Sequence, residues 1–533
     1  MASVDADKIL KRAKKAFNET AQWHQTMRDA YKYAMPQRNE YDIVSPGAKK
    51  GHEVFDSTAI RGTRKFANRI VSGFFPAGRD WCKLEPGPLA PEEVEAQVGQ
   101  FLEDATERMF GIIHNATNFQ TAIGEWALDL VAGMGCMLIN KGNEDEPVVY
   151  RAYPPVHIGV EEGADGRVSG VYRKDMQVKY RDIKETWPDA KLTGEIETMI
   201  RDEPDKACDG LVEACYWVYD DRTWYYEVIW KKSKDKIVER RYKNSPWIIT
   251  RWSKASNEVA GRGPLLDALP DIKTINKLVE LTLMNAALSV SGVYTGVDDG
   301  VLNPDTARIS PGSIIAVARN QGHPSGPSLA PLDRAGDFDV GQLEHDRLSS
   351  SINGILMNNA LPPEAGPVRT ATEYIQRAKD LSEDLGAAFG RLVSEALVPI
   401  VQRTMDILIE QRIIQLPDGA ESLRVSGGGV KLTVTGPLAQ LQNLDDVDAI
   451  AKVFETSMAL VGKDLTMLSL KAEEVPQEIA EKLGAPTSMI RSGVEKKQLA
   501  EAVASIMAAQ QASGEGSMDL VAGVGQPQAP GGM

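Results

Sequence analysis

The order of parts between residues 261 and 412 constrains this chain more than any other stretch. Leu265, Leu269, Ile272, Ile275, Val279, Leu283, Ala286 and Val290 return at steps of three or four, which predicts a helix with one continuous apolar face. From Asp271 to Val290 such a rod is roughly 30 Å long at 1.5 Å per residue. Lys273, Lys277 and Glu280 fall on its other face, and Pro270 is tolerated only as a kink or as the true first turn. Gly292–Gly336 follows, rich in Gly, Pro, Asp and Ser, with one expected strand at Ser313–Ala318. A connection of that length reads as a functional projection.

The chain then turns back. Asp337–Asn358 predicts a return helix with Phe338, Leu343, Leu348, Ile352 and Ile355 on its apolar side. Residues 359–367 contain Pro362, Pro363, Gly366 and Pro367 and cannot be helical, so they form an exposed loop between rods, a position that tends to carry function. Thr370 or Thr372 caps the next helix, with Glu373 suited to its positive end. That helix runs from Ala371 to about Arg412 and would span roughly 60 Å if unbroken. Pro399 is expected to kink it.

No phosphate-cradling loop, metal cluster or nucleophile–base pair interrupts this architecture. A long helical hairpin without chemistry points to a part of a larger machine. At 533 residues the chain exceeds one hydrophobic core, and its 42% apolar and 25% charged content is that of a globular protein. No window approaches 18 consecutive apolar residues, so no membrane span is expected. Met1–Lys15 is charged and helical rather than secretory in pattern, which implies synthesis in the cytosol. Cys82, Cys136, Cys208 and Cys215 sit at no metal-ligand spacing and are expected to be free, buried thiols. The formal charge of −15 argues against a groove that grips nucleic acid and is compatible with a surface that DNA slides past, or with simple solubility.

The flanking regions predict an α+β protein, mainly helical. Helical patterns cover 5–35, 57–75, 91–115 and 118–131. In the second, Arg61, Arg64, Lys65 and Arg69 form a basic face that is solvated, paired with another subunit, or a nucleic-acid patch. Residues 147–252 hold six of the nine tryptophans and read as β-rich, with a hairpin over 211–230 and a turn at Asp165-Gly166. The aromatics there read as core and interface packing rather than a base-stacking surface, because Lys231, Lys232, Lys234 and Lys236 cluster in a turn. Beyond 413, a strand at Leu432–Val434 and helices at 439–460, 475–483 and 493–512 are expected, then a Gly/Ala/Pro-rich disordered tail from 514 to 533.

Several of these segments together resemble the head-to-tail connector (portal) proteins of short-tailed bacteriophages. The resemblance is carried by Gly261-Arg262-Gly263-Pro264, Arg369-Thr370-Ala371-Thr372-Glu373 with Arg377, Arg64-Lys65-Phe66-Ala67-Asn68, and Phe74-Phe75-Pro76 followed by Trp81. It implies a ring with wing, stem, clip and crown around a channel: an N-terminal wing over 1–260, stem helices at 261–291 and 337–358, a clip at 292–336 and a tunnel loop at 359–371. A long wing helix at 372–412 and a C-terminal wing and crown at 413–513 complete it. Twelve copies at −15 each carry −180, which suits a conduit for DNA rather than a grip on it.

By the same resemblance, Glu364 and Arg369, the loop's only anion and cation, meet the duplex. Lys273, Lys277 and Arg347 are candidates for the channel wall or for subunit pairing. The implied partners are other copies of the chain, capsid and scaffolding proteins, a terminase, tail adaptors and non-specifically bound double-stranded DNA. No membrane, cofactor or metal is implied, and no catalytic residue. The absence of GxxxxGK[ST] fits a separate packaging ATPase. The rival readings are an intracellular scaffold without DNA passage and a metal-dependent hydrolase. For the latter, the acidic pairs Asp220-Asp221 and Asp298-Asp299 are candidates, and both look like hairpin tips rather than metal sites.

Overall fold

The computed structural model describes residues 5–87 apart from 43, 44 and 46, and 95–291 apart from 175. It also describes 294–296, 329–331, 338–358, 386–415, 430–462 and the isolated 475 and 479. The chain divides into two units, 1–441 and 442–533. Helices and antiparallel sheets both contribute, so the protein is α+β.

The helical pattern at 5–35 is two helices, α1 (Ala6–Glu19) and α2 (Ala21–Ala34). The break falls at Thr20, whose hydroxyl donates to the Ala16 carbonyl at 3.0 Å and ends the first helix from its own last turn. Helix α2 stops before Pro36. Helix α3 (Thr58–Phe74) is capped by Asp56, whose carboxylate accepts from the Thr58 amide at 2.8 Å. Strand β1 (Cys82–Pro86), α4 (Glu95–Asn115) and α5 (Phe119–Ala132) follow. The predicted start of α4 at Pro91 lies outside the described residues.

The tryptophan-rich region supplies two sheets. Strands β2 (Met134–Lys141), β3 (Val148–Tyr153) and β9 (Trp247–Arg251) pair in the order β3-β2-β9. Strands β4 (Ile158–Glu162), β5 (Val168–Arg173), β6 (Leu211–Val218), β7 (Thr223–Trp230) and β8 (Asp235–Tyr242) make a five-stranded meander in sequence order. The predicted hairpin is present, with Leu211 opposite Trp230. Gly166, at φ +77°, makes the turn between β4 and β5.

Alternation along these strands feeds two cores. Val212, Ala214, Tyr216, Tyr225 and Ile229 face Ile9, Ala13 and Ala16 of α1, while Leu211, Cys215, Tyr226, Val228 and Trp230 join the main core on the opposite face. The main core centres on Phe75, Trp81, Phe110, Phe119 and Trp126, in edge-to-face contacts with ring centroids 5.0 Å apart for Phe75–Trp81 and Trp81–Phe110. All four cysteines are free and buried, and burial pushes the Cys82 and Cys136 thiols up. Burial likewise lifts the Asp129 carboxyl, although it accepts from Tyr31 Oη at 2.7 Å and from Arg38 at 2.9 and 2.6 Å. That hub ties α2, the turn after it and α5 together.

Two short helices at 183–186 and 194–202 lie between β5 and β6 in the chain, and residues 264–291 form helix α6 (Pro264–Ser291). Pro270 lies inside it, and the Thr274 hydroxyl donates to the Pro270 carbonyl at 2.8 Å. Strands β10 (Tyr294–Gly296) and β11 (Leu329–Pro331) pair antiparallel at the two ends of the long connection. The strand expected at 313–318 lies outside the described residues. The return helix is α7 (Phe338–Ile355).

Of the long helix, residues 386–410 are described: α8 (Gly386–Leu392), a π-helical turn at Val393–Leu397, and α9 (Val398–Glu410). Strand β12 (Val430–Val434) pairs with β1, placing Cys82 opposite Val434. Helix α10 (Pro437–Val461) starts beside it, and the portion from 442 belongs to the second unit. The helix expected at 493–512, most of that at 475–483, and the tail from 514 lie outside the described residues. No described helix is long and apolar enough to cross a membrane.

Candidate stem root and channel wall

Three glycines allow α6 to start where it does. Gly133 ends α5 at φ +140°, and a Cβ there would sit 2.4 Å from the Gly261 carbonyl oxygen. A Cβ on Gly261 would lie 2.1 Å from the Gly133 oxygen, and one on Gly263 would lie 2.2 Å from the Val131 oxygen. Two backbones are therefore in direct contact, which only glycine permits. The contact is bonded as well as close: Gly263 N–H donates to Ala132 O at 3.1 Å, and Trp252 N–H to Gly133 O at 2.9 Å. Trp23 Nε1 donates to Gly261 O at 2.7 Å. The Gly-Arg-Gly-Pro segment thus seats the start of α6 against the end of α5.

A second clamp holds both rods higher up. The Asn276 side-chain oxygen on α6 accepts from the Phe55 and Asp56 amides at 2.7 and 3.2 Å, and its Nδ2 donates to Glu53 O at 3.0 Å. His345 Nε2 on α7 lies 3.3 Å from Asp56 Oδ2. Between the rods, Ser351 Oγ donates to Asp271 Oδ2 at 2.7 Å. The end of α7 is pinned to α3. Asn358 Nδ2 donates to the Gly62 carbonyl at 3.0 Å, and the Arg69 guanidinium bonds the Met357 and Asn358 carbonyls. Met357 adopts φ +56°, which stops the helix there. A Cβ on Gly62 would sit 2.8 Å from the Leu356 methyl, so the glycine admits this contact.

The long helix is anchored from the other side. Pro399 has no N–H to offer the Glu395 carbonyl, and the preceding turn, Val393–Leu397, is π-helical. The freed carbonyl accepts from Thr250 Oγ1 at 3.2 Å. The Glu395 carboxylate receives Arg251 Nη2 at 2.7 Å and the Arg251 amide at 2.9 Å, and Glu162 Oε2 takes Arg251 Nη1 at 3.1 Å. Arg251 is 2% exposed, so this pair is a buried one.

Burial changes along the rods. Leu265, Ala268, Leu269, Ile272 and Ile275 are buried in the main core, whereas Leu281, Leu283 and Met284 are 52–54% exposed and Leu343 on α7 is 70% exposed. The sequence places the apolar face on α6 but does not show that only its first half is covered within the subunit.

The expected wall residues divide in the same way. Lys273 pairs with Asp29 of α2 inside the subunit. Lys277 pairs with Glu280 at 3.0 Å and Arg347 with Glu344 at 3.5 Å, each one turn away on its own helix. Arg347 is the most exposed of the three, at 79% of its side chain. Glu364 and Arg369 lie outside the described residues, as do Asp298 and Asp299. Asp221 accepts from the Tyr225 hydroxyl at the tip of the β6–β7 hairpin. Among the described residues no group of three or more His, Cys, Asp and Glu side chains is placed to hold a metal. The residues that sequence reasoning missed are the clamps: Asp56, Gly62, Asn276, Asn358, Arg251 and Glu395. Only Gly261 and Gly263 left a visible signal.

Comparison with known proteins gives this arrangement its context. The chain is 21% identical over 499 residues to a probable portal protein of Bordetella phage BPP-1, covering 89% of this chain and 87% of that one. It is 23% identical over 259 residues to the portal protein of Escherichia phage T7, covering 48% and 45% respectively. Among solved structures, a chain from the virion of a native gene transfer agent particle superposes with a TM-score of 0.31 at 14% identity, over 80% of this chain and 90% of that one, too loosely to bear on the fold. The family of bacteriophage head to tail connecting proteins matches residues 6–490, and the chain belongs to that family.

Proposed function

We propose that this chain is the portal of its phage: a ring-forming head-to-tail connector through which double-stranded DNA is packaged, retained and ejected. The observation that carries the reading is the family match over residues 6–490, which takes in the wing, both rods, the connection between them and the long helix. In this reading, residues 261–291 and 337–358 are the stem, 292–336 the clip that receives tail proteins, and 359–371 the tunnel loop. The region after 412 builds wing and crown, and the protein acts by geometry rather than catalysis. The ring, twelve-membered by resemblance, seeds the shell, docks the terminase and anchors the tail.

Two features of the subunit support the assignment. Both rods are clamped at their wing ends through Gly133, Gly261, Gly263, Asn276 and Asp56, as a stem that transmits force would require. Their far halves expose Leu281, Leu283, Met284 and Leu343, which neighbouring copies in a ring would cover. Lys277 and Arg347 are the stronger wall candidates, since Lys273 is held by Asp29.

The test is to replace Glu364 and Arg369, or shorten 359–371, and follow ring formation by native mass spectrometry and packaging in infected cells. The expected result is an intact ring that fails to package or retain DNA. Normal packaging by a loop-shortened ring would overturn the tunnel-loop assignment. A wild-type ring with no opening of duplex width would leave a scaffold in place of a conduit.

A further inference from the structure

Helix α3 is a cationic element in an acidic protein. Its 17 residues contain Arg61, Arg64, Lys65 and Arg69 and no Asp or Glu, in a chain of net charge −15. Arg69 is committed to the end of α7, where it bonds the Met357 and Asn358 carbonyls. Arg61, Arg64 and Lys65 are exposed, and among the described residues none of them has an ion-pair partner. Their spacing places them on one helical stripe, continued by the exposed Asn68 and Ser72. The buried face of the same helix carries Ala59, Thr63, Phe66, Ala67 and Ile70. The solvent face of α3 is therefore wholly polar or basic.

The position of the stripe is fixed by the seam between α3 and α7. Gly62 and Arg69, seven residues apart, both touch the end of α7 at Leu356–Asn358. Lys65 and Arg61 lie next to that seam around the helix, on its solvent side. Asn358 is the last described residue before the segment assigned above as the tunnel loop, so three cations without an ion-pair partner among the described residues stand near it. Elsewhere on the stem and its clamp, exposed cations have carboxylate partners: Lys273 with Asp29, Lys277 with Glu280, and Arg347 with Glu344.

We propose that Arg61, Arg64 and Lys65 contact the phosphate backbone of duplex DNA, as a cationic stripe flanking the root of the 359–371 loop. The inference rests on the portal reading and adds to it a contact surface outside the loop and the rods. Three cations per subunit on a rigid helix supply a local, sequence-independent attraction. The acidic remainder of the ring keeps that attraction from becoming a permanent grip.

The experiment uses the assembled full-length ring and a short fluorescent duplex, with binding measured across a series of salt concentrations. Removing three phosphate contacts in R61Q/R64Q/K65Q should make the slope of log K against log salt less steep by about 2 to 3, with binding weakened about tenfold or more at low salt. The same change of charge on α1, in K8Q/K11Q/K14Q, should leave the slope near that of the wild type. Equal effects of the two triple variants would reduce the result to bulk charge and overturn the proposal. Dissociation of the α3 variant ring into subunits would also overturn it, assigning the stripe to a neighbour's carboxylates. A wild-type ring that binds duplex while the α3 variant binds identically overturns this inference alone. A wild-type chain that forms no ring and binds no duplex overturns the portal reading with it.

Discussion

Substituting Gly263 by alanine tests whether helix α6 is seated by backbone contact. The added Cβ would lie 2.2 Å from the Val131 oxygen, 2.6 Å from the Gly133 nitrogen and 2.7 Å from the Ala132 carbonyl carbon. All three are backbone atoms, so no side chain can swing away. Relief to an ordinary contact near 3.4 Å requires the two segments to part by about 1.2 Å from the 2.2 Å separation. Overpacking of a rigid site costs typically 1–3 kcal/mol, and this site belongs at about 3. The separation also weakens the Gly263 N–H to Ala132 O bond, worth about 1 kcal/mol. Lower entropy of the unfolded chain returns roughly 0.5–1 kcal/mol, leaving a net loss of about 3 kcal/mol. At a fixed scan rate this should lower the melting temperature by roughly 3 °C. Gly124→Ala in α5 is the control, since a Cβ there meets nothing within 4 Å, and it should be neutral or stabilising by up to about 1 kcal/mol. Equal melting of the Gly263→Ala and wild-type proteins would refute the claim that backbone contact sets the root.

Two further predictions concern buried charge. Glu395→Ala leaves the buried Arg251 with Glu162 as its remaining carboxylate and should destabilise the protein by roughly 3 kcal/mol; a melting temperature equal to wild type would show that the π-turn is held by Thr250 and packing instead. Burial, with help from Lys174 and His157, lowers the His24 pKa to about 4. The unfolded chain therefore takes up this proton first, and stability present above about pH 6.5 should be lost as the pH falls toward 4, by roughly 3 kcal/mol. Melting curves between pH 7 and 4 should show this loss, and His24→Gln should flatten it.

Periodicity made the hairpin's rods legible in the sequence, because an apolar face repeating at three and four residues has one regular solution. The β6–β7 hairpin was legible for the same reason at period two. What escaped was everything set by residues distant in the chain. The Arg251–Glu395 pair joins positions 144 apart, and the β1–β12 pairing joins Cys82 to Val434. Nothing local in Cys82–Pro86 announces a strand, since its partner lies more than three hundred residues away. The break at Thr20 was missed because the apolar stripe of 5–35 continues through it while one hydroxyl caps the turn. Pro399 was read correctly as a disturbance, but its consequence depends on Thr250, which the local sequence does not contain.

Stability within the subunit and exposure along the rods pull in opposite directions, and the proposed ring reconciles them. A helix pair anchored at one end and bearing Leu281, Leu283, Met284 and Leu343 at 52% exposure or more is an aggregation hazard for a lone chain. Covering those side chains by a twofold dimer would use the patch once and leave no passage. A head-to-tail contact repeated around a closed ring covers the patch on every copy and generates a hole at the centre without any further instruction. The same closure sets the net negative chains side by side, so an apolar contact through these exposed leucines is favoured there. In the proposed ring, the apolar half of the rods would specify assembly and the glycine-seated half their attachment.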